Sequence, residues 1–89
     1  MRQVVIRAYG RVQGVFFRHT ARIHAEKLGL VGWARNEDDG SVTMTVEGEE
    51  GKLNEFLEWC RKGPPLARVD DVQVTWGEAT GEFNRFEIL

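Results

Sequence analysis

The chain has 89 residues, and 12 Lys and Arg against 14 Asp and Glu leave a formal charge of −2. That length holds one domain, residues 1–89, with a modest core, and a composition of 42% hydrophobic and 29% charged residues is that of a globular chain, not a disordered one. No apolar run is long enough to span a membrane, Met1 to Arg7 is too short and too charged for a secretory signal, and the single cysteine, Cys60, excludes an internal disulfide framework or a Cys-rich zinc site.

Residues 3–9 are β-rich, with Val4, Ile6 and Ala8 on one face of a first strand. Gly10 and Gly14 bracket a loop. A helix is predicted from about Arg18 to Leu28, with Phe17, Ala21, Ala25 and Leu28 at helical spacing and Gly29 as its stop. Leu30 to Asn36 forms a second strand. Asp39-Gly40 marks a tight turn, and Ser41 to Glu47 alternates with Val42, Met44 and Val46 on one face, so strands two and three make a hairpin. A second helix carries Leu53, Phe56, Leu57 and Cys60 on one stripe and ends at Gly63-Pro64-Pro65. Arg68 to Trp76 is a fourth strand, and Phe83 to Leu89 a short last strand whose sheet edge is left open.

The order β-α-β-β-α-β plus a short C-terminal strand predicts an α+β, ferredoxin-like two-layer sandwich, with two helices on one face of a mainly antiparallel sheet. The crossover rule makes strands one and two parallel with strand three between them. Their C-terminal ends then share one sheet edge, two strand spacings or roughly 10 Å apart.

Charge is unevenly placed. Residues 1–36 carry seven cations and one acid, Glu26; residues 37–89 carry five cations and thirteen acids. A basic first third fits a small anionic partner, or else the two parts neutralise each other in the fold. The near-neutral total argues against a general nucleic-acid binder. The second helix follows helix electrostatics, with Glu49 and Glu50 at its start and Arg61 and Lys62 at its end. The first does the reverse: Arg18, His19 and Arg22 crowd its opening turns, with no acid and no obvious capping side chain. A strand, a glycine-bracketed loop and a cationic helix start make either an anion cradle or a structural turn with solvated arginines. The loop is neither a Walker loop nor a dinucleotide fingerprint.

Asn36, just before the turn, reads on its own as a turn former rather than a catalytic residue. His19 and His24 lack metal-ligand spacing, and Cys60 on an apolar stripe is expected to be a buried thiol. Trp33 and Trp76 are expected in the core or on a sheet face.

Two segments are more specific. Gly10-Arg11-Val12-Gln13-Gly14-Val15-Phe16-Phe17-Arg18 resembles the first signature of the acylphosphatases, and Gly32-Trp33-Ala34-Arg35-Asn36-Glu37-Asp38-Asp39-Gly40-Ser41-Val42 resembles the second. Gly48, Pro65, Ala67, Val69, Val72, Phe86 and Ile88 continue the likeness along the chain. The resemblance implies hydrolysis of a carboxyl–phosphate mixed anhydride to a carboxylate and inorganic phosphate, with no cofactor, no metal and no covalent intermediate. It assigns phosphoryl binding to Arg18 and to the loop amides of Gln13, Gly14, Val15, Phe16, Phe17 and Arg18, and orientation of the attacking water to Asn36. These residue types suit the chemistry: an acyl phosphate has a good leaving group, so positioning and charge stabilisation suffice. Arginine offers a permanently charged fork, whereas an asparagine amide cannot be a base but can hold a water.

The expected partners are a small-molecule acyl phosphate and inorganic phosphate, as product and competing ligand, with no nucleic acid and no membrane. A cytoplasmic monomer is expected. An RNA-binding module of the same fold would need aromatics on strand three, and Ser41 to Val46 has none. Acylphosphatase-like domains also occur within larger maturation proteins that process carbamoyl phosphate. No zinc-finger tract or second domain accompanies this one, so a free-standing enzyme is preferred.

Overall fold

Strict alternation of apolar residues places Val4, Ile6 and Ala8 on the inner face of β1 (Arg2–Arg11), and the computed structural model, which describes residues 1–89, buries all three completely. The remaining elements are α1 (Phe17–Lys27), β2 (Val31–Asn36), β3 (Val42–Gly48), α2 (Glu50–Lys62), β4 (Arg68–Glu78) and β5 (Phe86–Ile88). Their sheet order is β4-β1-β3-β2-β5. β3 is antiparallel to both β1 and β2, so β1 and β2 run parallel with β3 between them, as the crossover rule requires. β5 joins the free edge of β2 in parallel, which settles the edge left open by the sequence. This is the α+β, ferredoxin-like sandwich.

Helix α1 contributes Phe17, Ala21 and Ala25 to the core, and α2 contributes Leu53, Phe56, Leu57 and Cys60. Leu28, expected on the same stripe, is only half-buried. Each fully buried side chain of the size of Ile6 or Leu53 stabilises the fold by about 1.5–3 kcal/mol. β2 and β3 approach so closely at Gly32 that a Cβ there would overlap the Thr45 carbonyl oxygen.

Two expectations change. Only one face of β3 was predicted to be covered, but the whole strand is buried, including Thr43, Thr45 and Glu47 on the side away from the helices. The last strand is shorter than Phe83–Leu89, spanning only Phe86–Ile88. Glu47 contributes to both changes. Glu47 accepts hydrogen bonds from the Thr80 N–H (2.8 Å) and hydroxyl (2.9 Å), the Gly81 N–H (3.1 Å) and the Gln3 side chain (2.7 Å). The β4–β5 connection is thereby drawn over that side of β3 and must turn before it reaches β2.

No helix is long and apolar enough to cross a membrane. Five ion pairs partly resolve the uneven charge. Arg2, Arg7 and Arg35 of the basic first third pair with Glu50, Asp39 and Glu37; the other two pairs, Arg68–Asp70 and Arg85–Glu87, lie within the acidic part. Arg11, Arg18 and Arg22 have no Asp or Glu partner.

Candidate active site

The parallel ends of β1 and β2 present two loops to one edge of the sheet. Near the end of β1 the register against β4 shifts at Tyr9/Gly10, and the pairing ends at Arg11 with Arg68. Val12 and Val15 are then buried, which pins the connection to the core, while Gly14 and Phe16 between and beyond them stay exposed. Gly14 (φ 73°) and Phe16 (φ 65°) both take positive φ. That recurrence turns successive N–H groups to one side as a backbone nest. For Phe16, a non-glycine residue in the left-handed region, the conformation costs about 1–2 kcal/mol. It is held because the Phe16 carbonyl accepts both the Thr20 N–H (3.0 Å) and the Thr20 hydroxyl (2.8 Å).

The amides of this segment have no acceptor in the protein. None of the N–H groups of residues 13–16 is hydrogen-bonded, and the first bond into the helix from outside it is Thr20 to Phe16. The N–H groups of Phe17, Arg18 and His19 therefore lack the partner four residues back that later turns enjoy. Phe16, the N-cap, gives no side-chain cap, and the first turn contains no acid. The reversed electrostatics read from the sequence are thus real, with positive dipole and positive side chains at the same helix start.

These groups border a cavity of about 280 Å³ whose wall is Val12, Gly14, Phe16, Phe17, Arg18, His19 and Asn36. Arg18 is half-buried, and its Nη1 donates to the Leu89 carbonyl at 3.0 Å. Leu89 is held in turn by its N–H on the Ala34 carbonyl (2.9 Å), so the strand beside β2 helps fix the guanidinium. Asn36 ends β2 from the other side of the cavity. Its Oδ1 is buried and receives no hydrogen bond from the protein. An acceptor left so would cost about 1–3 kcal/mol unless a water or ligand hydroxyl donates to it.

The turn after Asn36 is tightly built. Glu37 N–H donates to the Ser41 carbonyl (2.8 Å), and Asp39 accepts from the Ser41 hydroxyl (2.6 Å) and N–H (2.9 Å). The Ser41 hydroxyl and amide hold the Asp39 carboxyl below its usual range; the Thr43 hydroxyl and Arg35 do the same for Glu37. Both carboxylates thus stay engaged, and the cavity wall itself contains none.

Of the predicted site residues, Gly14, Phe16, Phe17, Arg18 and Asn36 come together on the cavity. Gln13 and Val15 are not part of its wall. The Val15 side chain is in the core, and Gln13 Nε2 donates to the Glu37 (2.7 Å) and Ser41 (2.9 Å) carbonyls, tying the β1–α1 loop to the turn that follows Asn36. That tether and the Arg18–Leu89 bond carry no local sequence signal, because the partners are far apart in the chain. His19, whose spacing from His24 does not suit a metal, is exposed and lies on the cavity wall. Cys60 is buried in the core, where burial pushes its thiol pKa up and leaves it inert. His24 stacks on Trp59 (4.8 Å between ring centroids), away from the cavity, and burial with the nearby Lys27 lowers its pKa. Trp33 and Trp76 are half-buried sheet residues, covered by Arg35 and Arg2.

The sequence and the fold are shared with known proteins. Residues 4–88 match the acylphosphatase family. The chain is 46% identical to an acylphosphatase of Methylococcus capsulatus over 89 residues, all of this chain and 97% of that protein. The crystal structure of acylphosphatase from Bacillus subtilis superposes with a TM-score of 0.96 at 40% identity, covering 100% of this chain and 99% of that one. Full-length HypF, solved in its phosphate- and nucleotide-bound form, contains the same fold in 12% of its length, with a TM-score of 0.90 and 31% identity over 99% of this chain. Family pattern, sequence identity and superposition each run nearly from end to end, and the chain belongs to the acylphosphatase family.

Proposed function

We propose that this acylphosphatase, a hydrolase, cleaves acyl phosphates by direct attack of water on phosphorus, with the phosphoryl group in the β1–α1 nest and the water on Asn36. One observation carries the reading: Gly14, Phe16 and Phe17 with their acceptorless amides, Arg18 with no Asp or Glu partner, and the unpaired Oδ1 of Asn36 border the same cavity. The amides of Gln13 to Arg18 hold the equatorial phosphoryl oxygens as fixed donors, and Arg18 adds a charged fork that can grip two of them. Asn36 accepts a hydrogen bond from the water and sets it in line. The new phosphorus–oxygen bond forms as the bond to the acyl oxygen breaks. The carboxylate departs with the bonding pair, and the water's surplus proton passes to a phosphate oxygen. A carboxylate is weakly basic, so its departure needs no strong acid. The enzyme acts as a monomer in the cytoplasm, with inorganic phosphate as product and competing ligand.

The test is hydrolysis of benzoyl phosphate. Removal of the fixed cation in Arg18→Ala lowers kcat/KM by about 10²–10³-fold or more. Asn36→Ala lowers kcat to a similar degree, while inorganic phosphate still competes with nearly its original inhibition constant. Wild-type turnover in Asn36→Ala would refute the water-positioning role. Loss of activity on adding a chelator would refute the metal-free reading. Saturating phosphate raises Tm if the nest binds it, and an unchanged Tm would count against the nest.

A further inference from the structure

Large apolar side chains in solvent concentrate at one edge of the sheet. Apart from Met1, the three that are more than half exposed are Phe16 (69%), Leu66 (63%) and Leu89 (56%). Phe16 lines the cavity, and Leu89 is bonded through its carbonyl to Arg18. Leu66 lies two residues before Arg68, which pairs with Arg11 at the end of β1, so it belongs to the same edge. The other exposed apolar residues, Val5 (37%) and Ile23 (39%), are much better covered.

Phe16 is the most informative of these. It takes up a left-handed backbone conformation that suits glycine or asparagine far better than a phenylalanine, and its side chain is not part of the core. Neither backbone nor packing accounts for an aromatic ring there. The backbone that carries the ring is nonetheless fixed, because the Phe16 carbonyl is bonded twice to Thr20. An exposed ring on a fixed backbone at the mouth of the cavity is an apolar contact for whatever projects from that cavity.

We propose that Phe16, with Leu89 beyond Arg18, forms an acyl-side lip, and that the enzyme favours acyl phosphates with aromatic or bulky apolar acyl groups over those with small ones. This rests on the phosphoryl-transfer reading above. With the phosphoryl group in the nest, in-line attack requires the acyl oxygen to leave opposite the water. The acyl group therefore extends away from the Asn36 side and out of the cavity, where Phe16 can cover one of its faces. The amides of the nest are indifferent to the acyl group, so the lip is what discriminates.

The experiment compares kcat/KM for benzoyl phosphate and acetyl phosphate in the wild type, Phe16→Asn and Phe16→Trp. Asparagine keeps the left-handed backbone and removes the ring; tryptophan keeps an aromatic face. The wild type is expected to favour benzoyl phosphate about tenfold. Phe16→Asn should lower that ratio at least fivefold, and Phe16→Trp should preserve it. Competition by phenylphosphonate and methylphosphonate gives the same ratio from binding alone, so the lip is tested even in a variant with little turnover. Two substrates that are both hydrolysed, in a ratio that Phe16→Asn moves less than twofold, would overturn the lip and leave the phosphoryl-transfer reading intact. A wild-type enzyme inert toward both would overturn that reading and the lip with it.

Discussion

Replacing Gln13 by alanine tests whether the two loops of the site are aligned by a side chain that need not touch substrate. The half-buried Gln13 amide donates two hydrogen bonds, 2.7 Å to the Glu37 carbonyl and 2.9 Å to the Ser41 carbonyl. At about 0.5–1.5 kcal/mol each, their loss destabilises the fold by about 1–3 kcal/mol. A domain of this size has an unfolding entropy near 0.19 kcal/mol/K at Tm, so Tm falls by about 5–15 °C. The functional effect is separate. The tether joins the nest and Arg18 on one side to the turn after Asn36 on the other, and a displacement of about 1 Å between reacting groups costs about 100-fold. Well below Tm, Gln13→Ala should therefore lower kcat/KM for benzoyl phosphate by about 10–100-fold while phosphate inhibition changes much less. Gln13→Glu is sharper still, because an ionised carboxylate cannot donate and would face two carbonyl oxygens. Its pKa in the folded protein would rise above the unfolded value, so stability is retained below the unfolded pKa and lost as pH rises. At neutral pH the glutamate variant should be less stable than the alanine variant, and the order should narrow or reverse in acid. A Gln13→Ala enzyme that melts early yet keeps wild-type kcat/KM would refute the alignment role.

Glu47→Ala strips the acceptor from the Thr80 and Gly81 amides and the Gln3 side chain, and should cost about 2–5 kcal/mol in urea unfolding. Burial alone would raise the Glu47 pKa, but the Thr80 amide and the Gln3 and Thr80 side chains outweigh it and hold the carboxyl below its ordinary value. The wild type should therefore lose stability as pH falls below about 4.5, and the acid slope should flatten in the variant. Gly32→Ala forces a Cβ onto the Thr45 carbonyl at φ 144° and should destabilise by more than about 2 kcal/mol, read as Tm or as failure to accumulate folded protein. Cys60 should resist thiol reagents in the native protein and react only on unfolding, and Cys60→Ala should keep its kcat/KM.

Elements whose pattern is set by one buried face were readable from the chain. Val4, Ile6 and Ala8 in β1 and Leu53, Phe56, Leu57 and Cys60 in α2 were assigned to the core and lie there. The central strand was half-read, because burial of Thr43, Thr45 and Glu47 depends on partners in other strands and in the β4–β5 connection. The length of β5 was misjudged for the same reason: Glu47 sets where the chain may straighten, from more than thirty residues away. In the site, Arg18 stood out because a cation at an uncapped helix start is electrostatically out of place. Asn36 alone was ambiguous, as asparagine before a turn commonly is. The direction of the Gln13 side chain was hidden, since the same residue could equally have presented its amide to a ligand.

The bonds that join the walls of the cavity to one another are long-range in the chain: Gln13 to Glu37 and Ser41, and Arg18 to Leu89, a separation of 71 residues. No fragment lacking any of these segments contains the assembled site, and neither does a partly folded chain in which β5 has yet to dock. Contacts between distant segments form late and slowly, because loop-closure entropy is lost before they can compensate for it. Catalytic activity is consequently a clock for folding. Return of helical signal after denaturation should precede return of hydrolysis, and the interval between them measures how long the two ends of the chain take to meet across the sheet.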